Sequence, residues 1–204
     1  MEPIVIEYMD PKHEGSGSMK PNVVKMRTRI LRPSEYLGIR RYANPDYKAL
    51  FDAALLTGMR VVELRLFIAH PEWFDGEFIH IPRIAIKKQK ATVKQRWVHL
   101  SIKGRTVMEN LNHNIRPDEV RTEQAIIKYL KSCAVKAEIG PYGINMKMFR
   151  KTYESWLISS CPNKKEEIFL SQGHDSLTAL RHYVNLPFTE ADKIDMKEWV
   201  EGWR

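Results

Sequence analysis

The stretch Thr57-Gly58-Met59-Arg60-Val61-Val62-Glu63-Leu64 determines how the first half of this chain is organised. Apolar residues at helical spacing come before it and after it, so two helices are expected to meet here. Gly58 suits the left-handed conformation that ends many helices, and the next helix begins near Arg60. An arginine at that place lies beside backbone N–H groups and can bind an anion. An ordinary surface arginine is the alternative interpretation.

Helical patterns dominate on both sides of this stretch. Before it, Pro33-Ser34-Glu35-Tyr36 looks like a helix start, and Asn44-Pro45-Asp46 caps the helix that ends at Gly58. After it, helices are predicted over 102–112, 121–136, 145–160, 164–171 and 175–186. A short amphipathic helix over 188–203 is expected to carry Ile194, Trp199 and Val200.

Residues 74–102 have a different character. Segments 78–81, 84–86 and 97–100 have strand composition, and the very basic turn 87–96 separates the last two. We therefore expect a small antiparallel sheet with a charged hairpin tip. The predicted fold class is mainly α with a small antiparallel β-sheet (α+β).

The first 30 residues differ from the rest of the chain. Glu14-Gly15-Ser16-Gly17-Ser18 is typical of a flexible linker, and a basic stretch follows it. The sequence therefore predicts a flexible basic arm or linker over 1–30 and one globular domain over 31–204.

Charge and composition narrow the possible partners. The 204 residues include 33 Lys and Arg against 25 Asp and Glu, a net charge of +8. Such a surplus favours a polyanion such as nucleic acid, although an inert basic surface is the alternative. Two cysteines, Cys133 and Cys161, are too few for a disulfide framework or a zinc site, so the protein is expected to be intracellular. No apolar run approaches the roughly 20 residues of a membrane span, so no span is expected, and the first residues lack the basic-then-apolar pattern of a secretory signal.

Three further motifs could carry chemistry. Lys147 and Arg150 lie at i and i+3 of one predicted helix, so both cations share a face. His174 follows Gly173 in a predicted turn and can donate to an oxyanion or exchange protons near neutral pH. Tyr183, nine residues after His174, is a possible phenolic nucleophile. Taken singly, each has an ordinary alternative: a solvated helix face, a structural histidine and a core tyrosine.

In combination these motifs resemble the tyrosine recombinases, the phage-type integrases. Thr-Gly-Met-Arg-Val-Val-Glu-Leu resembles the family's first arginine box, and Lys147-Met-Phe-Arg150 resembles the second, which is usually His-x-x-Arg. Gly173-His174 and Tyr183 resemble the family's Gly-His turn and nucleophilic tyrosine, including their interval. The resemblance covers residues 31–204 and implies the tyrosine recombinase/integrase catalytic domain fold.

The resemblance also implies a mechanism without metal or cofactor. Tyr183 would attack a DNA phosphodiester and form a 3′-phosphotyrosyl bond, while Arg60 and Arg150 clamp the phosphate and Lys147 and His174 add donors. A hairpin lysine would protonate the leaving 5′-oxygen. We expect Lys90 in this role and Lys88 as the second choice, while the others contact the DNA backbone. The implied DNA-binding residues are Lys87, Lys88, Lys94, Arg96 and Lys151.

Lys147 in place of histidine is a departure from the usual box, since free lysine has a pKa of about 10.4 and is a weak proton acceptor near neutral pH. A Lys-x-x-Arg box is similar to that of the fusellovirus-type integrases of archaea and their plasmid relatives, as is the run Phe188-Thr-Glu-Ala-Asp-Lys. This implies viral or plasmid DNA integration at an attachment site in double-stranded DNA, carried out by a tetramer assembled on that DNA.

Several alternatives stay open from the sequence. A type IB topoisomerase uses a similar arginine, lysine and tyrosine site, and a DNA-binding protein with a decayed site would share the charge pattern. Nothing before Leu31 is long enough for the upstream helical domain of the family, so we expect a catalytic fragment that cleaves more readily than it recombines. Cleavage within one protomer or by a donated tyrosine, and packing of 188–204 on its own domain or on a neighbour, are equally compatible with the sequence.

Overall fold

The computed structural model describes residues 23–25, 27–85, 95–116, 118, 120–173 and 186–203. Within these ranges the chain is mainly helical with small two-stranded antiparallel sheets, which confirms the predicted α+β class. The strands are β1 (Val24–Lys25), β2 (Thr28–Arg29), β3 (Phe78–Ile81) and β4 (Arg96–His99). The α-helices are α1 (Pro33–Arg41), α2 (Pro45–Thr57), α3 (Val61–Ala69), α4 (Ile102–Asn114), α5 (Glu123–Lys136), α6 (Lys147–Ser160), α7 (Lys165–Gln172) and α8 (Glu190–Val200).

The junction between α2 and α3 forms as its sequence predicts. Asn44 caps the start of α2, and its side-chain oxygen accepts a hydrogen bond of 3.0 Å from the Tyr47 N–H. Gly58 ends the helix with φ 59°, in the left-handed region that glycine adopts without strain. The chain then turns directly into α3, so Arg60 lies immediately before the first residue of that helix.

The sheet of β3 and β4 pairs Phe78 with His99 and Ile81 with Arg96. Side chains alternate along each strand, so Arg96 and Val98 are buried whereas Trp97, between them, is half exposed. The predicted strand over 84–86 is wrong for its described part. Arg83–Ala85 is a 3₁₀ turn, closed by a 3.0 Å bond from the Ala85 N–H to the Pro82 carbonyl oxygen. Residues 86–94, which include the hairpin tip, lie outside the described ranges.

Helix α6 lies at the centre of the core. Its side chains Phe149, Tyr153 and Trp156 are fully buried, and the helix packs against α2, α7 and α8. Burial of an aromatic side chain of this size contributes about 2–3 kcal/mol. The predicted motif at the start of α6 is therefore attached to a helix whose aromatic side chains are fully buried.

The packed body begins earlier than the expected boundary at Leu31. Val23 and Ile30 belong to the core, and the Ile30 N–H donates to the Val23 carbonyl oxygen at 2.8 Å. The Leu31 N–H donates to Oγ1 of Thr152 on α6 at 3.0 Å. Because these bonds are buried, the β1–β2 hairpin is part of the domain, and only residues 1–22 and 26 of the predicted arm lie outside the described ranges.

The C-terminal helix α8 packs on its own domain. The Trp199 ring lies 5.9 Å from that of Trp156 and 5.4 Å from that of Tyr36, measured between centroids. Arg32 and Asp192 form a buried ion pair that joins α8 to the segment before α1. The helix is shorter than predicted because Thr189 caps it, and Ile194 is exposed. Of the helices in the described ranges, none combines the length and apolar character that a membrane crossing requires.

Candidate active site

Two glycine turns lie against each other in this fold, although they are far apart in the sequence. Gly58 ends α2 with φ 59° and Gly173 ends α7 with φ 66°. The buried Gln172 donates from Nε2 to the Thr57 carbonyl oxygen at 3.3 Å. A Cβ atom at Gly58 would lie 2.2 Å from Oε1 of Gln172. The two turns are therefore packed so closely that a side chain at Gly58 would require Gln172 to shift.

Arg150 joins both turns to α6. Its guanidinium is buried, and Nη1 donates to the Gly58 carbonyl oxygen at 3.2 Å while Nη2 donates to the Gln172 carbonyl oxygen. Arginine suits this position because its planar group presents several donors in fixed directions. The second predicted motif thus contacts the turn of the first motif and the residue before the Gly-His turn.

Arg60 lies at the solvent side of this junction. Its side chain is 44% exposed, and Nη1 is 2.8 Å from Oε1 of Glu63. Oε2 of the same carboxylate accepts a hydrogen bond of 2.8 Å from the Arg60 backbone N–H. Glu63 therefore holds both the backbone and the guanidinium of Arg60, and it satisfies one of the N–H groups at the start of α3.

Arg96 was predicted to contact DNA as part of an exposed basic turn, but the structure places it inside the protein. Its Nη2 is 2.6 Å from Oε2 of Glu63, and its Nη1 donates to the Ser171 carbonyl oxygen at 2.6 Å. The side chain is 6% exposed. The reason is the strand alternation, which directs Arg96 to the same face as Val98.

The four side chains Arg60, Glu63, Arg96 and Arg150 are here called the arginine cluster. Burial alone would raise the pKa of the Glu63 carboxyl, but attraction to Arg96 and Arg150 outweighs it, and the pKa is lowered. Burial and repulsion from Arg96 and Arg60 lower the pKa of Arg150 to about 10, against attraction to the buried Glu154 and to Glu63. Arg150 therefore carries its charge at neutral pH.

Two lysines of α6, Lys147 and Lys151, were predicted as site residues and lie close to Arg150 in the sequence. Lys147 is the first residue of the helix and is exposed, one turn before Arg150. Lys151 follows Arg150 and is half-buried. The spacing of three residues places Lys147 on the same side of α6 as Arg150, as the sequence predicted.

The remaining predicted site residues lie outside the described ranges. They are Lys87, Lys88, Lys90 and Lys94 of the hairpin tip, together with His174 and Tyr183. Their assigned roles stay predictions. The described chain reaches Gly173, the residue directly before His174.

Sequence reasoning missed Glu63, which contacts two of the three arginines. A signal was available, because an acidic residue three positions after a helix start commonly accepts a hydrogen bond from the backbone at that start. The paired carbonyl oxygens of Ser171 and Gln172 carried no such signal, since any residue supplies a carbonyl.

No group of three or more His, Cys, Asp or Glu side chains within the described ranges is placed to hold a metal ion.

We compared the chain with protein-family models, with curated proteins and with solved structures. None of the three comparisons found a match.

Proposed function

We propose that this chain is the catalytic domain of a site-specific DNA recombinase of the tyrosine recombinase, or integrase, type. The observation that carries the proposal is the arginine cluster. It joins the Gly58 turn, the start of α6 and the end of α7, which are three of the places where the sequence resembles the motifs of that family. The cluster thus brings the segments that carry these motifs into direct contact, and this contact supports the proposal.

Charge is the first requirement of the proposed reaction. Attack on a phosphodiester needs positive charge at the non-bridging oxygens, and preorganised charge is often the largest catalytic contribution. Arg60 is the half-exposed member of the cluster and is therefore the group we assign to direct phosphate contact. Arg150 is buried and donates to two carbonyl oxygens, so we assign to it an electrostatic contribution from within the domain in place of the direct phosphate contact that the sequence predicted.

The covalent step is assigned to Tyr183. Its phenolic oxygen forms a bond to phosphorus as the bond from phosphorus to the 5′-oxygen breaks, which leaves a 3′-phosphotyrosyl bond and a free 5′-hydroxyl. The phenol releases its proton to water, and the leaving 5′-oxygen takes one from Lys90, which then regains a proton from water. Lys147 and His174 donate to the phosphate. The reverse reaction restores the DNA strand without ATP, because the phosphotyrosyl bond retains the energy of the bond that was cut.

Partner and assembly follow from the same proposal. Double-stranded DNA at an attachment site is the substrate, and the excess of positive charge supports binding to it. Lys87, Lys88, Lys94 and Lys151 are assigned to backbone contacts. Exchange of strands between two duplexes is assigned to a tetramer on DNA, in the manner of archaeal virus or plasmid integrases, which the Lys-x-x-Arg box resembles.

Covalent capture of DNA is the direct test. A pool of duplexes with one fixed nick and random flanking sequence is incubated with the protein, so that cleavage releases a short strand and traps the adduct. Adducts that survive SDS identify the sequence cut. We expect the wild type to form the adduct and Tyr183→Phe to form none. Tyr42→Phe is the control: it alters an exposed tyrosine at the C-terminal end of α1 and should form the adduct.

Three outcomes separate the proposal from its rivals. Full adduct yield from Tyr183→Phe contradicts the assignment of the nucleophile. DNA binding without any adduct favours a non-catalytic DNA-binding domain. Relaxation of supercoiled plasmid without exchange at a defined sequence favours a topoisomerase.

A further inference from the structure

The buried contacts of Arg96 reach two parts of the candidate site at once. Its two terminal nitrogens have different partners, since Nη2 pairs with Glu63 on α3 and Nη1 donates to the Ser171 carbonyl at the end of α7. Gly173 leaves the space that the Arg96 side chain fills, because a Cβ there would lie 2.8 Å from Cδ of Arg96. The fold therefore builds a fitted position for this arginine between two elements of the site.

Glu63 links Arg96 to Arg60, because its carboxylate pairs with both arginines. One carboxylate oxygen, Oε1, pairs with the Arg60 guanidinium at 2.8 Å, while the other, Oε2, pairs with Arg96 at 2.6 Å and accepts from the Arg60 backbone. With Arg96 in place, the negative charge of Glu63 is shared between two cations. Without it, that charge would draw the half-exposed Arg60 inward, because a buried carboxylate needs a paired cation.

We infer that Arg96 is a positioning residue for strand cleavage: through Glu63 it keeps the Arg60 guanidinium available to the DNA phosphate, and through the Ser171 carbonyl it fixes the end of α7. This rests on the proposed function. Arg96 acts through other residues and does not touch DNA. Its contribution is to the charge that Arg60 offers to the phosphate and to the geometry of the turn that precedes His174.

The test compares a charged with an uncharged target phosphate. In a methylphosphonate one non-bridging oxygen is replaced by a methyl group, so the linkage has no negative charge and needs less help from Arg60. Single-turnover rates of adduct formation are measured on the DNA sequence recovered by covalent capture, with a phosphate or a methylphosphonate at the cut position. A general loss of structure would slow both substrates, whereas a misplaced Arg60 slows chiefly the charged one.

Arg29→Met is a matched control for Arg96→Met. Arg29 is also buried, with Nη2 at 2.5 Å from a Glu35 oxygen and Nη1 donating to the Ile139 carbonyl at 2.7 Å. Both substitutions remove a buried arginine that has a carboxylate and a carbonyl among its partners. Arg96 belongs to the arginine cluster, whereas Glu35 and Ile139, the partners of Arg29 given above, do not, so comparison of the two variants separates positioning from stability.

The expected result is specific to charge. Arg96→Met should slow cleavage of the phosphate substrate by about 10- to 100-fold, as a displaced catalytic group does, with Arg60→Met slower still. On the methylphosphonate substrate, Arg96→Met should cleave at most about threefold more slowly than the wild type, because the charge that Arg60 neutralises is absent. Arg29→Met should show the same small effect on both substrates.

Each other outcome has a definite meaning. Unchanged cleavage by Arg96→Met, or an equal deficit on both substrates, overturns the positioning role while leaving the proposed function intact. Absence of any adduct from the wild-type protein overturns the proposed function and this inference with it. If Arg96→Met does not fold, Arg96→Lys is used, because lysine keeps the charge but lacks the fork that reaches Glu63 and Ser171 together; an unchanged rate in that folded variant also overturns the inference.

Discussion

Nη1 of Arg150 donates a 3.2 Å hydrogen bond to the carbonyl oxygen of Gly58, a residue that lies 92 positions earlier in the chain. This bond joins the helix at the centre of the core to the turn that presents Arg60. It depends on the path of the backbone at Gly58, which bends through the left-handed region so that its carbonyl faces α6. The proposed site is therefore sensitive to changes at Gly58 that leave every charged residue in place.

Substitution of Gly58 by alanine should destabilise the protein by more than the usual strain of a left-handed residue. That strain is about 1–2 kcal/mol, and the added Cβ would also lie 2.2 Å from Oε1 of Gln172, which adds about 1–3 kcal/mol of overpacking. Urea denaturation of the wild type and variant measures the difference. Gly140→Ala is the matched control, since Gly140 has φ +77° and its Cβ would meet nothing within 4 Å.

The clash can be tested separately from the strain. Gln172→Ala removes the side chain that the new Cβ would meet, so the double variant Gly58→Ala with Gln172→Ala should lose less stability than the two single losses added together. Equal losses for Gly58→Ala and Gly140→Ala, or strict additivity with Gln172→Ala, would contradict the close packing of the two turns.

The helix boundaries were accessible from the sequence where a local signal exists. The Asn44 cap and the Gly58 turn act within a few residues of themselves, so α2 was predicted nearly to the residue. Arg96 was predicted as an exposed DNA contact because it adjoins a run of basic residues, yet alternation with Val98 and Leu100 already indicated an inward side chain. Pairing of Arg96 with Glu63 is tertiary information, which residue spacing cannot supply.

The start of the domain shows the same limit. A Gly-Ser linker is visible in the sequence, but the point at which the chain joins the core depends on partners such as Gly143, whose carbonyl accepts from the Arg29 N–H at 3.0 Å. Such long-range backbone contacts leave no local pattern. The three motifs of the candidate site could be found individually, whereas their junction through Arg150 could be read only from the fold.

Glu63→Gln should make the free energy of unfolding less dependent on pH in the acid range. The pKa of the Glu63 carboxyl is lowered in the folded protein, so ionisation of this group favours folding. Its contribution is complete above the ordinary glutamate pKa of about 4.3 and is lost as the pH falls further, toward the lower pKa of the folded state. At pH 7 we expect the variant to be about 2–4 kcal/mol less stable, because Arg96 loses a charged partner.

The measurement is the free energy of unfolding of both proteins at several pH values between 7 and 3. Groups that titrate in both proteins cancel when the two curves are subtracted, which leaves the contribution of Glu63. The difference should be constant down to about pH 5 and should narrow below it. A difference that stays constant to pH 3, or grows, would show that Glu63 is not held ionised by the arginine cluster.

Asp192→Ala should loosen α8. The Asp192 carboxylate pairs with the buried Arg32 and also accepts from the Thr189 N–H at 2.8 Å, so its removal affects both a buried cation and the helix cap. We expect a loss of about 3–5 kcal/mol. Asp195→Ala, an exposed position on the same helix, should change stability by less than about 0.5 kcal/mol. Equal effects of the two substitutions would contradict docking of α8 on its own domain.

The choice among the hairpin lysines can be made by a change of leaving group. If Lys90 protonates the leaving 5′-oxygen, Lys90→Ala should slow cleavage by about 100- to 10,000-fold on ordinary DNA. Replacement of that oxygen by sulfur removes the need for a proton, since a thiolate leaves without one at neutral pH. The Lys90→Ala deficit should then largely disappear.

Lys87→Ala, Lys88→Ala and Lys94→Ala are the controls within the same hairpin. A lysine that only contacts the DNA backbone affects oxygen and sulfur substrates alike, because it contributes to binding and not to departure of the 5′ group. Rescue by sulfur in one of these variants would move the proton donor to that lysine. Rescue in none of them would remove the hairpin from the chemical step and leave it a role in DNA binding.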